Sequence, residues 1–436
     1  MEAVSSFGSA LKTTTCERSY PTLRGHPPTL ELGEQQTIPS ILESPSTGVT
    51  IEIPETYHAV FATATLAYYL GADLRPGEQP QIVTEDGFTY PLGQSGRALE
   101  RGAERVLKQT FFLDCLTRTE GFFQVNLHER NQLEDALGLD FPSLYDRPLK
   151  SQLPAYLQVD YAEIEPYLPR WKLTAYATTE PAYIETLPFL VNDLAVIRSA
   201  ESGIRQGRPN GAWTRTDDEV LAADLTRGAT GSADAPELVR VRESDSIEQA
   251  WVGPGAPVGA SKAMLEAFEH RLTRSPAAES IEITVVCNAA EMSQEGDLVN
   301  EIYGSREDLP FDLSVHHELE TDALARLLAE DIDFLHYIGH IDEAGFECRD
   351  GHLDAASLEE TNVDVFFLNA CSSYEQGMNL IRAGSIAGVV TLEDVINSGA
   401  ERIGLTLARF LNAGFPLWGA LNLSKSESIM GGHYLV

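Results

Sequence analysis

The sequence predicts an α/β fold for its C-terminal part, with a doubly wound, mainly parallel sheet flanked by helices, after a mixed, mostly helical N-terminal region. Two observations predict this. From residue 279 onward, short runs rich in β-branched residues alternate with segments of helical periodicity. Such alternation is typical of strand–helix–strand units with a parallel sheet. Between residues 51 and 200, apolar residues recur mostly at helical spacing.

Five strands are predicted in the C-terminal region, each a mostly apolar run. They span residues 281–287, 311–316, 332–338, 363–369 and 386–391. Helices are predicted between them from apolar faces, and Gly304, Gly384 and Gly414 mark helix ends, since glycine adopts the left-handed conformation that closes a helix. Ligands of such sheets bind at the carboxyl ends of the strands, so polar residues there are candidates for function.

These patterns divide the chain into four segments. They are 1–50, a loop-rich extension; 51–200, a mixed, mostly helical domain without a motif that indicates its role; 201–278, a connector with a helix; and 279–436, the α/β domain. A short strand is expected at 49–53 and the connector helix at about 260–274. The stretch 226–236 is small, polar and marked by Gly and Pro, as loops are.

The charge is far from zero. Asp and Glu number 66 against 31 Lys and Arg, for a formal net charge of −35, and the acids are spread along the chain. Dispersed acid with scarce lysine resembles the proteins of salt-in halophilic archaea, whose charges are screened by salt. The negative sign argues against binding nucleic acid or an anionic membrane surface. Because no secretory signal opens the chain, a cytoplasmic protein is expected.

The five cysteines predict neither a disulfide framework nor a metal site. Their number is odd and no pair has metal-ligand spacing; they are Cys16, Cys115, Cys287, Cys348 and Cys371. Each is by default a small buried hydrophobic residue. Neither a metal nor a cofactor is expected.

Two chemically capable residues follow neighbouring predicted strands. His340 comes just after the third strand and Cys371 just after the fourth. Adjacent strands lie about 4.8 Å apart, so side chains just past their ends could come within hydrogen-bonding reach. A cysteine needs a base to form its thiolate, and an imidazole can accept that proton and return it to the leaving group. A Cys–His catalytic pair is therefore predicted.

Three secondary features accompany this pair. A hairpin is expected at 346–353, turning at Asp350-Gly351. His336, inside the third strand, is interpreted as structural. Ser372 and Ser373 are expected to cap the helix that follows Cys371, and the alternative is that they tune the site.

At these residues the sequence resembles the CHAT domain family, a branch of the caspase-like cysteine peptidases. The resemblance covers about a third of the chain, and its motifs are His336-Tyr-Ile-Gly-His340, Asp350-Gly-His-Leu353, Leu368-Asn-Ala-Cys-Ser-Ser373 and Ala383-Gly-Ser-Ile-Ala-Gly-Val-Val390. It implies a caspase-like fold with His340 and Cys371 as catalytic residues.

The resemblance also implies an oxyanion hole and a specificity pocket. The oxyanion hole would consist of the backbone N–H groups of Cys371 and of the residue after His340, where most family members have Gly and this chain has Ile341. Glu393 and Asp394 follow the fifth strand, where several caspase-like peptidases have an acid that selects Arg or Lys. A chain this acidic also places carboxylates there as solvated surface.

Two functions fit these features. The first is a cysteine endopeptidase that cleaves a protein or peptide partner, after a basic residue, with self-processing expected in the connector at 226–236. The second is a caspase-like module without effective catalysis that acts as a protein-interaction platform. Substitution of Cys371 separates the two.

Overall fold

The computed structural model describes residues 1–203, 237–275, 280–289, 302–303, 311–392, 397–426 and 434–436. The α-helices in these residues are α1 (Glu2–Ser5), α2 (Tyr57–Leu70), α3 (Arg97–Thr117), α4 (His128–Leu137), α5 (Phe141–Tyr145), α6 (Leu149–Gln158), α7 (Tyr161–Ile164), α8 (Leu187–Asn192), α9 (Ala200–Gly203), α10 (Leu265–Thr273), α11 (Thr321–Leu328), α12 (Tyr374–Ala383), α13 (Asn397–Asn412) and α14 (Leu417–Ser426). None of them combines the length and the apolar character that crossing a bilayer requires.

The described residues also form nineteen β-strands. They are β1 (Val49–Ile53), β2 (Asp73–Pro76), β3 (Gln81–Thr84), β4 (Thr89–Pro91), β5 (Leu173–Ala177), β6 (Val196–Ser199), β7 (Leu238–Arg240), β8 (Glu248–Val252), β9 (Ala256–Val258), β10 (Ser261–Lys262), β11 (Ile281–Cys287), β12 (Phe311–His317), β13 (Ile332–Ile338), β14 (Ile341–Asp342), β15 (Gly345–Cys348), β16 (Gly351–Leu353), β17 (Val363–Asn369), β18 (Ala387–Thr391) and β19 (Tyr434–Leu435). The chain forms two compact units, Met1–Ile204 with Arg242–Gly253, and Arg205–Val241 with Pro254–Val436.

The first unit combines helices with two small sheets. Its strand at Val49–Ile53 and its helices near 57–70 and 97–117 confirm the sequence patterns. The side chain of Thr56 caps α2 by accepting a hydrogen bond from the N–H of Ala59 at 3.2 Å, and Gly71 ends it with a φ of 54°. Strands β6 and β8 both pair in parallel with β5, an arrangement that the helical spacing of this region did not predict.

The first 25 residues contribute to the interior of the first unit. They contain α1 and three short 3₁₀ segments, and Phe7, Cys16 and Arg18 are fully buried. Arg18 Nη2 lies 2.7 Å from Asp114 Oδ2 on α3, and the Tyr69 hydroxyl donates to the same oxygen at 2.6 Å. This segment is therefore attached to α2 and α3 by a buried ion pair.

The second unit is built on a six-stranded sheet in the order β12-β11-β13-β17-β18-β19. All neighbours are parallel except β18 and β19, which are antiparallel. The five predicted strands are confirmed to within one residue at each end. The prediction that the third and fourth strands are neighbours is also confirmed, because β13 pairs with β17.

Helices cover both faces of this sheet. On one face, Leu324 and Leu327 of α11 and Leu380 of α12 pack with the strand residues Leu335 and Phe366. On the other face, which we call the α13 face, Ile403 and Leu407 pack with Phe367 and Val389. Both faces of the sheet are thus covered by apolar packing, so solvent reaches the sheet only at its edges and strand ends.

Two sequence predictions near the sheet are corrected. The hairpin forms as β15 and β16, but Cys348 pairs directly with Gly351, so its two turn residues are Arg349 and Asp350 rather than Asp350-Gly351. The connector helix begins at Leu265, five residues later than expected, because Ser261 and Lys262 are extended.

His336 lies inside β13 and is fully buried, which confirms its structural interpretation. Its ring lies against Phe367 at 4.7 Å and Tyr303 at 6.2 Å between centroids, and neither ring nitrogen has a hydrogen-bond partner among the described residues. Burial lowers the pKa of this imidazole to about 3.

Replacing His336 by leucine is expected to make the second unit less sensitive to acid. Folding lowers the pKa of His336 from about 6.5 to about 3. The contribution of this shift to the unfolding free energy is therefore present above pH 6.5 and is lost as the pH falls toward 3. Between pH 7 and pH 5 the parent should lose about 2 kcal/mol more unfolding free energy than His336→Leu. Urea titrations at the two pH values measure this, and equal losses would contradict it.

Candidate active site

His340 is exposed at the carboxyl end of β13, and its backbone is held by the hairpin. The strand ends at Ile338 and is followed by the buried Gly339. The carbonyl oxygen of His340 accepts hydrogen bonds from the N–H of Glu347 at 3.0 Å and from the Tyr337 hydroxyl at 3.3 Å. The imidazole therefore extends from an anchored backbone position at the surface.

Cys371 lies two residues beyond the end of β17 and is half-buried. The next residue, Ser372, has a φ of 48°, in the left-handed region that residues with a Cβ rarely adopt. The turn is attached to β18 because Ser373 and Thr391 exchange hydrogen bonds, with Thr391 N–H donating to Ser373 Oγ at 2.9 Å and Ser373 N–H to Thr391 Oγ1 at 3.2 Å. The Thr391 hydroxyl also donates to the carbonyl of Ala370. Backbone strain beside a sulfur nucleophile candidate is a feature of functional sites.

Ser373 does not act as the predicted helix cap. It occupies the N-cap position of α12, but its side chain makes no capping hydrogen bond. Its hydroxyl instead lies 3.1 Å from Thr391 Oγ1 and donates to the carbonyl of Leu368 at 3.3 Å. The residue thus shapes the turn that carries Cys371.

The register of β13 and β17 brings the ends of the two strands together. Ile338 is paired with Asn369, and His340 and Cys371 each lie two residues beyond this pair. Ile338 packs on the α13 face with Ala408, and Asn369 faces the same side, where its Oδ1 accepts a hydrogen bond from Tyr434 at 2.9 Å. Since side chains return to the same face every second residue, both candidates follow residues of the α13 face.

Ile341 has a backbone orientation that fits a donor role. It lies in β14 opposite Phe346, and its side chain is buried in the core of the second unit. The carbonyl of His340 points toward β15, where it accepts a hydrogen bond from the N–H of Glu347. Because the C=O and N–H of one trans peptide point in opposite directions, the N–H of Ile341 points away from β15. A β-branched residue is well accommodated in this extended conformation.

Asn288, which the sequence analysis missed, joins three segments next to the site. Its N–H donates to the carbonyl of Ile338 at 2.9 Å, and its Nδ2 donates to the carbonyl of Glu347 at 3.0 Å. Its Oδ1 accepts from the N–H of Leu319 at 2.8 Å. The available signal was a polar residue directly after the carboxyl end of the first strand, at the edge where His340 also lies.

The remaining predicted residues are either buried or outside the described chain. Cys287 and Cys348 are buried, and burial raises the pKa of the Cys348 thiol to about 11, which disfavours the nucleophilic thiolate. Glu393, Asp394 and the 226–236 stretch lie outside the described residues. Of the predicted dyad, His340 is exposed and Cys371 is half-buried, so both are accessible at this edge.

The solved structures to which the chain is similar include gingipain R and separase. No family model matches the chain, and no curated protein matches it. Gingipain R, an Arg-specific cysteine proteinase, aligns with a TM-score of 0.38 at 10% identity, over 60% of this chain and 74% of its own. Separase in the separase–securin complex of Saccharomyces cerevisiae aligns with a TM-score of 0.32 at 12% identity, over 78% of this chain and 25% of its own.

Proposed function

We propose that the chain is a cysteine endopeptidase of the caspase-like, CHAT-domain type, in which His340 and Cys371 form the catalytic dyad. The observation that carries this proposal is the register of the sheet, in which both residues follow the single pair Ile338–Asn369 by two positions. The strained turn at Ser372 and the solvent exposure of His340 support it.

The proposed reaction uses the imidazole twice. His340 accepts the proton of the Cys371 thiol, and the sulfur forms a bond to the carbonyl carbon of the scissile peptide. The resulting oxyanion accepts hydrogen bonds from the backbone N–H groups of Ile341 and Cys371. When the C–N bond breaks, His340 gives the proton to the amine that leaves. Water, deprotonated by the same imidazole, then hydrolyses the thioester and regenerates Cys371.

The proposed substrate is a protein or peptide that is cleaved after Arg or Lys. Strand β18 is parallel to β17, so its carboxyl end lies at the sheet edge that β17 points to. Glu393 and Asp394 follow β18 in the sequence, and two carboxylates after this strand end would pair with a cationic side chain. The proposal also includes a doubly wound, caspase-like sheet and self-processing in the connector. It places the protein in the salt-rich cytoplasm of an archaeon, because a net charge of −35 is best tolerated where salt screens it.

A peptide library varied at the residue before the scissile bond tests this function. In about 2 M KCl, which screens the long-range repulsion among the chain's own acids, cleavage after Arg or Lys should exceed cleavage after neutral residues by on the order of 10²-fold. Glu393→Gln with Asp394→Asn should reduce this preference while leaving thiol reactivity at Cys371 unchanged. If no peptide is cleaved and the chain does not cleave itself, the interaction-platform function replaces the peptidase function.

A further inference from the structure

Among the residues that the structure describes, the six-stranded sheet of the second unit ends at β12, which pairs with β11 on its other side. The N–H of Glu318 donates to the carbonyl of Cys287 on β11 at 3.2 Å. Because backbone groups alternate in direction along a strand, the N–H and C=O groups of Leu313 and Val315 then point away from β11. An edge of this kind is a template for another strand.

The sequence of β12 lacks the usual protection of an edge and is self-complementary. It contains neither Lys nor Pro, which commonly block edge pairing. If a second copy pairs antiparallel about Ser314, Leu313 lies opposite Val315 of that copy, and their outward N–H and C=O groups form a hydrogen-bonded pair. Asp312 then lies opposite His316 of the second copy, in the closer, non-hydrogen-bonded type of pair with Cα atoms about 4.5 Å apart.

The polar residues favour this register over its neighbour. Pairing about Val315 instead of Ser314 would leave Asp312 without a strand residue opposite it, because β12 ends at His317 and Glu318 has a φ of 48°, outside the extended region. Asp312 is also in register with Glu282 on β11, so a histidine brought opposite Asp312 faces two carboxylates. The charge pattern therefore favours one two-fold arrangement.

The side chains of the edge would gain burial from this pairing. Leu313 and Val315 pack only partly against the core on the α13 face, where Val285 and Ile283 are buried. On the opposite face, Ser314 lies in a polar contact with Thr284, with 3.0 Å between their hydroxyl oxygens. Each strand would thus present an apolar row and a polar row to its copy.

We propose that the chain forms a two-fold symmetric dimer through β12, which joins two sheets into one continuous sheet. This interface is independent of the peptidase function. The net charge of −35 on each copy opposes association in dilute buffer, and salt at molar concentration removes this repulsion beyond about 3 Å. Dimerisation is therefore a property of the chain in concentrated salt.

A charge-swap series measured by sedimentation velocity tests the dimer. In about 2 M KCl and at roughly 1–100 μM protein, the parent should sediment as a monomer–dimer equilibrium. His316→Glu places like charges in both symmetric pairs, and Asp312→Lys removes the carboxylate opposite the His316 imidazole; each should raise the dimer Kd by about tenfold. The double variant places Lys opposite Glu in both pairs and should return to within about threefold of the parent.

Asp322→Lys, an exposed acid on α11, changes the net charge as Asp312→Lys does and should leave the Kd unchanged. Thermal unfolding of each variant checks that the fold is intact. If one single variant does not fold, the Kd of the double variant is compared with that of the other single variant and the parent. A parent that stays monomeric throughout, single variants that behave like Asp322→Lys, or a double variant without recovery would each overturn the proposal.

Discussion

Replacing Cys371 by alanine is expected to lower kcat/KM for a cleaved peptide by on the order of 10⁴-fold or more, because the nucleophile is lost. His340→Ala should have a comparable effect, since without the imidazole the thiol keeps its proton and the leaving amine receives none. Residues that act as one unit are strongly non-additive, so the double variant should be no worse than the more impaired single variant. Initial rates with a fluorogenic peptide measure all three.

Cys348→Ala is the matched control for this series. Cys348 is buried, and burial raises the pKa of its thiol to about 11, so its removal should change kcat/KM by less than about threefold. If Cys371→Ala retains activity while Cys348→Ala loses it, the nucleophile has been assigned to the wrong strand. Additive losses in the Cys371 and His340 variants would show that the two residues do not act together.

Replacing Asp114 by alanine is expected to destabilise the first unit by about 3–5 kcal/mol, because the guanidinium of Arg18 would remain buried without its counter-ion. Tyr69 would also lose the acceptor of its 2.6 Å hydrogen bond. Urea unfolding followed by a probe in the first unit, at fixed salt, measures the change.

A double variant distinguishes the buried charge from the packing around it. Arg18→Met with Asp114→Leu removes both charges and keeps apolar volume, so it should be less destabilised than Asp114→Ala. A loss below about 1 kcal/mol for Asp114→Ala would contradict the ion pair as the attachment of the N-terminal segment. A double variant that is worse than Asp114→Ala would assign the effect to packing.

The sheet of the second unit could be predicted because its strands are long and unusually regular. Residues 332–338 and 363–369 are mostly apolar, as strands covered on both faces are. Their ends therefore placed His340 and Cys371 at one edge without any coordinates. Ser373 was assigned to a cap because its sequence position fits one, whereas the hydroxyl of Thr391, on the next strand, is a partner that local pattern does not reveal.

The first unit was harder to predict from the same principles. All five residues of β5, Leu173–Ala177, are buried, so the strand shows no alternation, and a run this short has no periodicity that separates strand from helix. The burial of Arg18 depends on Asp114, which lies far along the chain on α3. An arginine among polar residues is ordinarily exposed, so only the tertiary partner identifies it as part of the core.

Labelling with a thiol-directed electrophile, followed by peptide mass mapping, tests the central claim most directly. At neutral pH in about 2 M KCl, the native protein should be modified first at Cys371, and His340→Ala should slow this modification by on the order of 10²-fold. The five cysteines should react alike once the chain is unfolded. Modification of Cys371 that is equally fast with and without His340, or that occurs first at another cysteine, would contradict the dyad.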